Sequence, residues 1–193
     1  MSSKLKDKVC IITGATSGMG KAIATYFSKE GAKLILSGRD MDRGNALKDQ
    51  LANSVFVGGD IGNPETNEKL VEAALSNFGG IDIISLNAVI LGLGDVVSLT
   101  VSSWNQTIST NLSSIFYLSK YALPHMLKNK EGNILINASI AAFKSFPNHP
   151  AYCASKAASV ALMKQMAVEY APKIRVNAIC PGPVDTPLSV SYT

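Results

Sequence analysis

Tyr152 and Lys156 are the residues of this sequence best placed to do chemistry. In Tyr152-Cys-Ala-Ser-Lys156 they stand four apart, so on a helix they share a face and the ammonium lies one turn from the phenol. A phenol titrates near pH ~10 and transfers protons poorly at neutral pH, but a neighbouring cation favours the phenolate and lowers that pKa. Ser139, in Asn137-Ala-Ser139, adds a hydroxyl that can hydrogen-bond a carbonyl oxygen. Proton exchange with a carbonyl or alcohol oxygen is the chemistry this set suits. No metal is expected. Cys10, Cys153 and Cys180 are odd in number, widely spaced and without a C-x-x-C or Cys/His cluster, so they read as buried free thiols. His125 and His149 share no partner motif and are assigned structural or surface roles.

A second pattern lies near the start. Thr13-Gly14-Ala15-Thr16-Ser17-Gly18-Met19-Gly20 follows a strand-like run and opens a helix-like one. Glycines there let the backbone approach a phosphate, and the helix N-terminus offers unpaired N–H groups to a pyrophosphate. The spacing is G-x-x-x-G-x-G, not the general G-x-G-x-x-G, so dinucleotide binding rests on the strand–loop–helix context, with a purely structural turn as the alternative. After the second strand the sequence runs Ser37-Gly38-Arg39-Asp40. Gly38 removes an acid where a ribose 2′-hydroxyl would be read, and Arg39 can pair with a 2′-phosphate, which favours NADP(H). In the rival reading Asp40 takes the ribose and the cofactor is NAD(H). Asp60, after the third strand, can accept from an adenine amine or serve as a turn residue.

The elements that must position these groups alternate between two periods. Strand-like runs Val9–Thr13, Lys33–Ser37, Val55–Val57, Ile81–Leu86, Asn133–Asn137 and Ile174–Ile179 are separated by helical segments. Helices are expected over Gly18–Lys29 with Gly31 as the stop, Arg43–Leu51, Pro64–Phe78 with Asn63 as N-cap, 102–129 and 151–170. Most strands are apolar on consecutive residues, as when helices cover both faces. The fold class is α/β: one doubly wound parallel sheet in the order 3-2-1-4-5-6, a single domain over 1–193. Composition agrees. With 193 residues, 47% hydrophobic and 17% charged, the chain has material for a core and is not disordered. The +4 net charge is spread along the chain, so nucleic-acid binding is not expected. No apolar run reaches the ~18–20 residues of a membrane span. The polar start Met1–Lys8 lacks the apolar region of a secretory signal, and a cytoplasmic protein is expected.

Taken in order, these motifs resemble those of the short-chain dehydrogenase/reductase family. The register runs through Thr13–Gly20, Asp60, Asn87-Ala88, Asn111, Ser139, Tyr152, Lys156 and Pro181-Gly182, nearly the whole chain. The resemblance implies a Rossmann-like fold and an oxidoreductase that interconverts a carbonyl and a secondary alcohol, similar to reductases of 3-oxoacyl thioesters. Tyr152 would exchange the proton, Lys156 would lower its pKa and bind the nicotinamide ribose, and Ser139 would polarise the carbonyl. Asn111 would hold a water linking Lys156 to solvent. Gly14, Thr16, Ser17, Gly18, Met19, Gly20, Arg39, Asp60 and Ile61 would bind the adenosine and phosphate portion. Asn87 would brace the sheet, Ala88 would lie against the adenosine, and Pro181, Gly182, Val184 and Thr186 would frame the nicotinamide.

Two departures from the family pattern stand out. Leu86-Asn87-Ala88-Val89 replaces N-N-A-G, so Val89 is expected to crowd the cofactor or shift the next loop. The chain stops at Thr193, where relatives continue into a helical lid and a seventh strand, so the sequence is expected to be C-terminally incomplete, with an exposed strand-six edge. Ala154, Ala157, Ala158 and Ala161 give the second long helix a small-residue face, and self-association through helices 102–129 and 151–170 is expected, at least as a dimer. The other function class considered is a cofactor-binding regulator without efficient turnover.

Overall fold

Every expected strand forms, and all six pair in parallel in the order β3-β2-β1-β4-β5-β6. The computed structural model describes residues 3–129 and 131–188; the ends of the expected 1–193 domain lie outside the described residues. The strands are β1 (Val9–Ile12), β2 (Lys33–Gly38), β3 (Ser54–Gly58), β4 (Ile83–Leu86), β5 (Gly132–Asn137) and β6 (Ile174–Ile179). The helices are α1 (Gly18–Lys29), α2 (Met41–Gln50), α3 (Pro64–Phe78), α4 (Val101–Ile108), α5 (Ser114–Met126) and α6 (Pro150–Tyr170). Side chains alternate across the sheet. Val9 and Ile11 enter a core shared with α3, α5 and α6, whereas Cys10 and Ile12 enter a second core with α1 and α2. Burial on both sides explains the unbroken apolar run of β1.

That double cover stops toward β6. Arg175, Asn177 and Ile179 on one face of β6 are exposed, while Ile174 and Val176 on the other are buried. The expectation of helices on both faces therefore holds at β1 and β2 and fails at β6. The alternating sequence Ile-Arg-Val-Asn-Ala-Ile already has the period of a half-buried strand.

Local signals account for the helix ends. Gly31, just past α1, has φ +85°, and Pro64 occupies the first turn of α3. Asn63 sits at the N-cap position of α3 but makes no side-chain cap; instead its carbonyl accepts from Asn67 Nδ2 at 2.8 Å. Asp40 caps α2 by accepting from Arg43 N at 2.9 Å, which starts that helix two residues before the expected Arg43. The helix expected over 102–129 is not continuous. A π turn at Ser109–Ser113 separates α4 from α5, and Asn111 lies inside it. No helix among the described residues is long and apolar enough to cross a membrane. Of the three cysteines only Cys10 is buried, and burial pushes its thiol up to about 12; Cys153 and Cys180 are half-buried.

Candidate active site

The crevice opens where the sheet changes direction. β1 has β2 on one side and β4 on the other, so the chains leaving β1 and β4 diverge at their carboxyl ends. Thr13 ties the two together: its Oγ1 accepts from Asn87 N at 3.0 Å and Ala88 N at 3.2 Å. Asn87 Nδ2 donates to Ser85 O and Oγ, both at 3.0 Å, which fixes its side chain on β4. Gly14 has φ +62°, and a Cβ there would stand 2.9 Å from the Ala88 Cα. A Cβ on Gly20 would collide with the Gly14 carbonyl. Both positions need glycine so that the loop, β4 and α1 can pack this closely.

A cavity of about 310 Å³ fills the crevice. Gly14, Thr16, Ser17, Gly18, Met19 and Gly20 form one wall, and Asn87 and Ala88 form the other. Arg39, Asp60 and Ile61 lie at its β2–β3 end. Ser17 makes no side-chain cap, and the first turn of α1 has no acid, so its N–H groups and positive dipole end are not neutralised. Asp60 Oδ1 accepts from Gly62 N at 2.8 Å, so it shapes its turn as well as lining the cavity. Asp40 is absent from the lining. It is committed to Arg43, whose amide and guanidinium hold its carboxyl below the usual range. Arg39 is exposed at the rim and makes no ion pair among the described residues.

A second cavity, of about 430 Å³, lies over the ends of β5 and β6. Ser139, Tyr152, Pro181, Gly182, Val184 and Thr186 line it. Met19, Thr186 and Leu188 line both cavities, which meet there. α6 delivers Tyr152 and Lys156 to one face, as their spacing requires: Lys156 Nζ stands 5.7 Å from the Tyr152 ring centroid. Lys156 is buried, has no carboxylate beside it among the described residues, and donates to Asn137 O at 2.7 Å. Burial lowers its pKa to about 8. Burial also raises the Tyr152 phenol, against a lowering from the hydrogen bond with Ser139. Desolvation outweighs that hydrogen bond, and the expected lowering of the phenol by Lys156 is not among the causes of the shift. Ser139 Oγ accepts from Ala141 N at 3.1 Å, which leaves its own proton to donate.

The Asn111 side chain reaches this region through hydrogen bonds within the protein. Its Oδ1 accepts from Ile90 N at 2.9 Å, and its Nδ2 donates to Ile90 O at 2.8 Å and Ser155 Oγ at 3.1 Å. Both ends of the side chain thus clamp the loop after β4 to α6.

Comparison with known proteins is consistent with this geometry. The model of the short chain dehydrogenase family matches residues 8–193. The chain belongs to that family. An uncharacterized oxidoreductase of Staphylococcus aureus (strain MRSA252) is 35% identical over 191 residues, covering 97% of this chain and 83% of that protein. The structure of actinorhodin polyketide ketoreductase with NADPH superposes with a TM-score of 0.93 at 30% identity, covering 97% of this chain and 76% of that one. A 3-ketoacyl-(acyl-carrier-protein) reductase from Brucella melitensis, complexed with NADH, gives 0.92 at 31% identity, covering 97% and 80%. The protein is thus an oxidoreductase of the short chain dehydrogenase family.

Sequence reasoning missed part of the site. Gly59, Ile90 and Thr110 also line the first cavity, and His149 the second. Gly59 has φ +157° and precedes Asp60, so a glycine pair after a strand was the available signal. His149, assigned a structural or surface role, is buried and stacks edge-to-face on Tyr152 with ring centroids 6.1 Å apart. It stands at the N-cap position of α6, three residues before Tyr152. Val89 lines the first cavity and packs against the Leu91–Ala141–Tyr152 cluster.

The buried Lys156 has a measurable cost. Its folded pKa near 8 lies below the 10.5 of a free lysine, so holding the charge costs the fold about 3 kcal/mol at neutral pH. Between those two values the unfolded chain binds more protons, so this penalty fades as pH rises. We expect the stability of Lys156→Met relative to the unsubstituted protein to fall by about 1 kcal/mol between pH ~7 and ~9, read by denaturant unfolding without cofactor. A pH-independent difference would contradict a buried charge.

Proposed function

We propose that this enzyme interconverts a carbonyl and a secondary alcohol using a nicotinamide dinucleotide, with NADP(H) preferred, and that residues 1–193 act as one cofactor-binding and catalytic domain. The carrying observation is the junction of the two cavities at Met19, Thr186 and Leu188, one with a phosphate cradle and the other with Ser139 and Tyr152. The residues fit the cofactor. Gly14 and Gly20 let the loop, β4 and α1 pack closely enough to form the crevice, and the first turn of α1 carries no competing acid.

When bound, the nicotinamide supplies hydride in reduction and accepts it in oxidation. The chain's own residues do the rest. Ser139 donates to the carbonyl oxygen, and Tyr152 delivers the proton that completes the alcohol; in oxidation Tyr152 takes that proton back. Lys156 spends one N–H on Asn137 O, and its others hold the nicotinamide ribose and a water. Because the Asn111 side chain is engaged with Ile90 and Ser155, that water sits on the Asn111 main chain within the π turn. Pro181, Gly182, Val184 and Thr186 hold the nicotinamide end. Arg39 reads the 2′-phosphate. Its position at the cavity rim and the commitment of Asp40 to Arg43 support NADP(H) over NAD(H).

One series of variants tests these roles. Arg39→Ala should weaken NADPH binding roughly ten- to a hundredfold while changing NADH binding less than about threefold, followed by nicotinamide fluorescence. Tyr152→Phe should lower kcat by about 10²–10⁴ with cofactor affinity nearly unchanged. Tighter NADH than NADPH binding would return the cofactor assignment to Asp40. A Tyr152→Phe enzyme with full turnover would remove the proposed proton path. Loss-free cellular function without the phenol would favour a cofactor-binding regulator.

The same reading includes self-association. Ala154, Ala157, Ala161 and Val168 form an exposed stripe on α6, and Trp104 and Phe116 are exposed on α4 and α5. These faces suit an isologous dimer. Analytical ultracentrifugation at micromolar concentration should show a dimer that Ala157→Glu dissociates; a monomer before substitution would exclude it.

A further inference from the structure

We propose that the second cavity selects neutral ketones with a hydrocarbon body and rejects substrates that carry a carboxylate or phosphate near the carbonyl. This rests on the carbonyl-reducing role assigned to Ser139 and Tyr152 above and names the substrate class of that site. Ala138, Ile140, Phe146, Pro183, Val184 and Leu188 give the cavity a wall of carbon. Beyond Ser139 and Tyr152, the polar side chains among its described lining residues are His149 and Thr186; no lysine, arginine, aspartate or glutamate contributes.

The nearby charges do not help an anion. Lys156 stands behind Tyr152 with its Nζ on Asn137 O, and it does not line the cavity. Asp185 is exposed between the lining residues Val184 and Thr186, where its negative charge opposes a second one. An anion seated here would lose its water and gain no cation from the described lining residues, a penalty that a neutral substrate of the same shape does not meet.

The carbon wall also has a shape. Phe146, His149 and Tyr152 form an edge-to-face ladder, with centroids 6.4 Å apart for the first pair and 6.1 Å for the second. His149 Nδ1 lies 2.6 Å from Pro147 O, and a carbonyl only accepts, so Nδ1 carries the proton and the ring is fixed in place. A preformed wall of rings beside the reacting oxygen suits an alicyclic or aromatic ketone.

A matched pair provides the test: methyl 4-oxocyclohexanecarboxylate and the corresponding 4-oxocyclohexanecarboxylate, which share a ring and a ketone and differ in charge. With NADPH, the ester should show a kcat/KM at least about tenfold that of the acid. Phe146→Arg, which adds a cation to the wall, should shift that ratio toward the acid. Thermal unfolding with NADP⁺ present gives the binding readout. Equal or better use of the acid would overturn the inference and leave the carbonyl-reducing reading standing. Stabilisation by the ester alone without turnover would support the cavity's selectivity and overturn the reaction. Neither turnover nor stabilisation with either compound would overturn both.

Discussion

The close approach of two backbones, at Gly14 and Ala88, is the constraint on which the rest of this structure depends. A parallel sheet puts every strand's carboxyl end on one edge, but only between β1 and β4 do the following segments part. The parting leaves room for a ligand only if the loop after β1 lies flat against the chain after β4. Thr13 holds that contact through two backbone amides, and a Cβ on Gly14 would break it. Gly20 then lets α1 begin directly beneath the loop, so its uncapped amides face the crevice. A packing requirement and a binding surface are here the same few atoms.

The second cavity is built on the opposite principle, a group placed where it is unfavourable. Lys156 is buried with a carbonyl for a partner and no carboxylate, and Tyr152 is pushed above its ordinary range by the same enclosure. Neither group is well tuned for proton transfer by the protein alone. Hydrogen bonds hold the Asn111, Ser139 and Lys156 side chains in this arrangement.

Much of this was legible before any coordinates, for physical reasons. Strand order follows from the alternation of periods and the handedness of crossovers, and the glycine loop and Tyr152–Lys156 spacing follow from local geometry. Features set by tertiary packing were not. Ser109-Thr-Asn-Leu-Ser113 contains neither proline nor glycine, so nothing local marks the π turn that seats Asn111. The sign of the Tyr152 shift depends on how much water the fold removes, which spacing does not report. A lone histidine carries no motif, and His149 enters the site through the N-cap of α6 and its ring contact with Tyr152. At β6 the alternating sequence itself marks a half-buried strand, unlike the continuous apolar runs of β1 and β2.

The central claim is that the phosphate cradle and the Ser139–Tyr152 cavity are two ends of one site joined at Met19, Thr186 and Leu188. A crystal structure of the complex with NADP⁺ measures this directly. The account predicts the pyrophosphate against the first turn of α1, the 2′-phosphate at Arg39 and the nicotinamide ring passing Met19 and Thr186 to face Tyr152. A nicotinamide ring lying outside the second cavity, with the pyrophosphate still on α1, would contradict it.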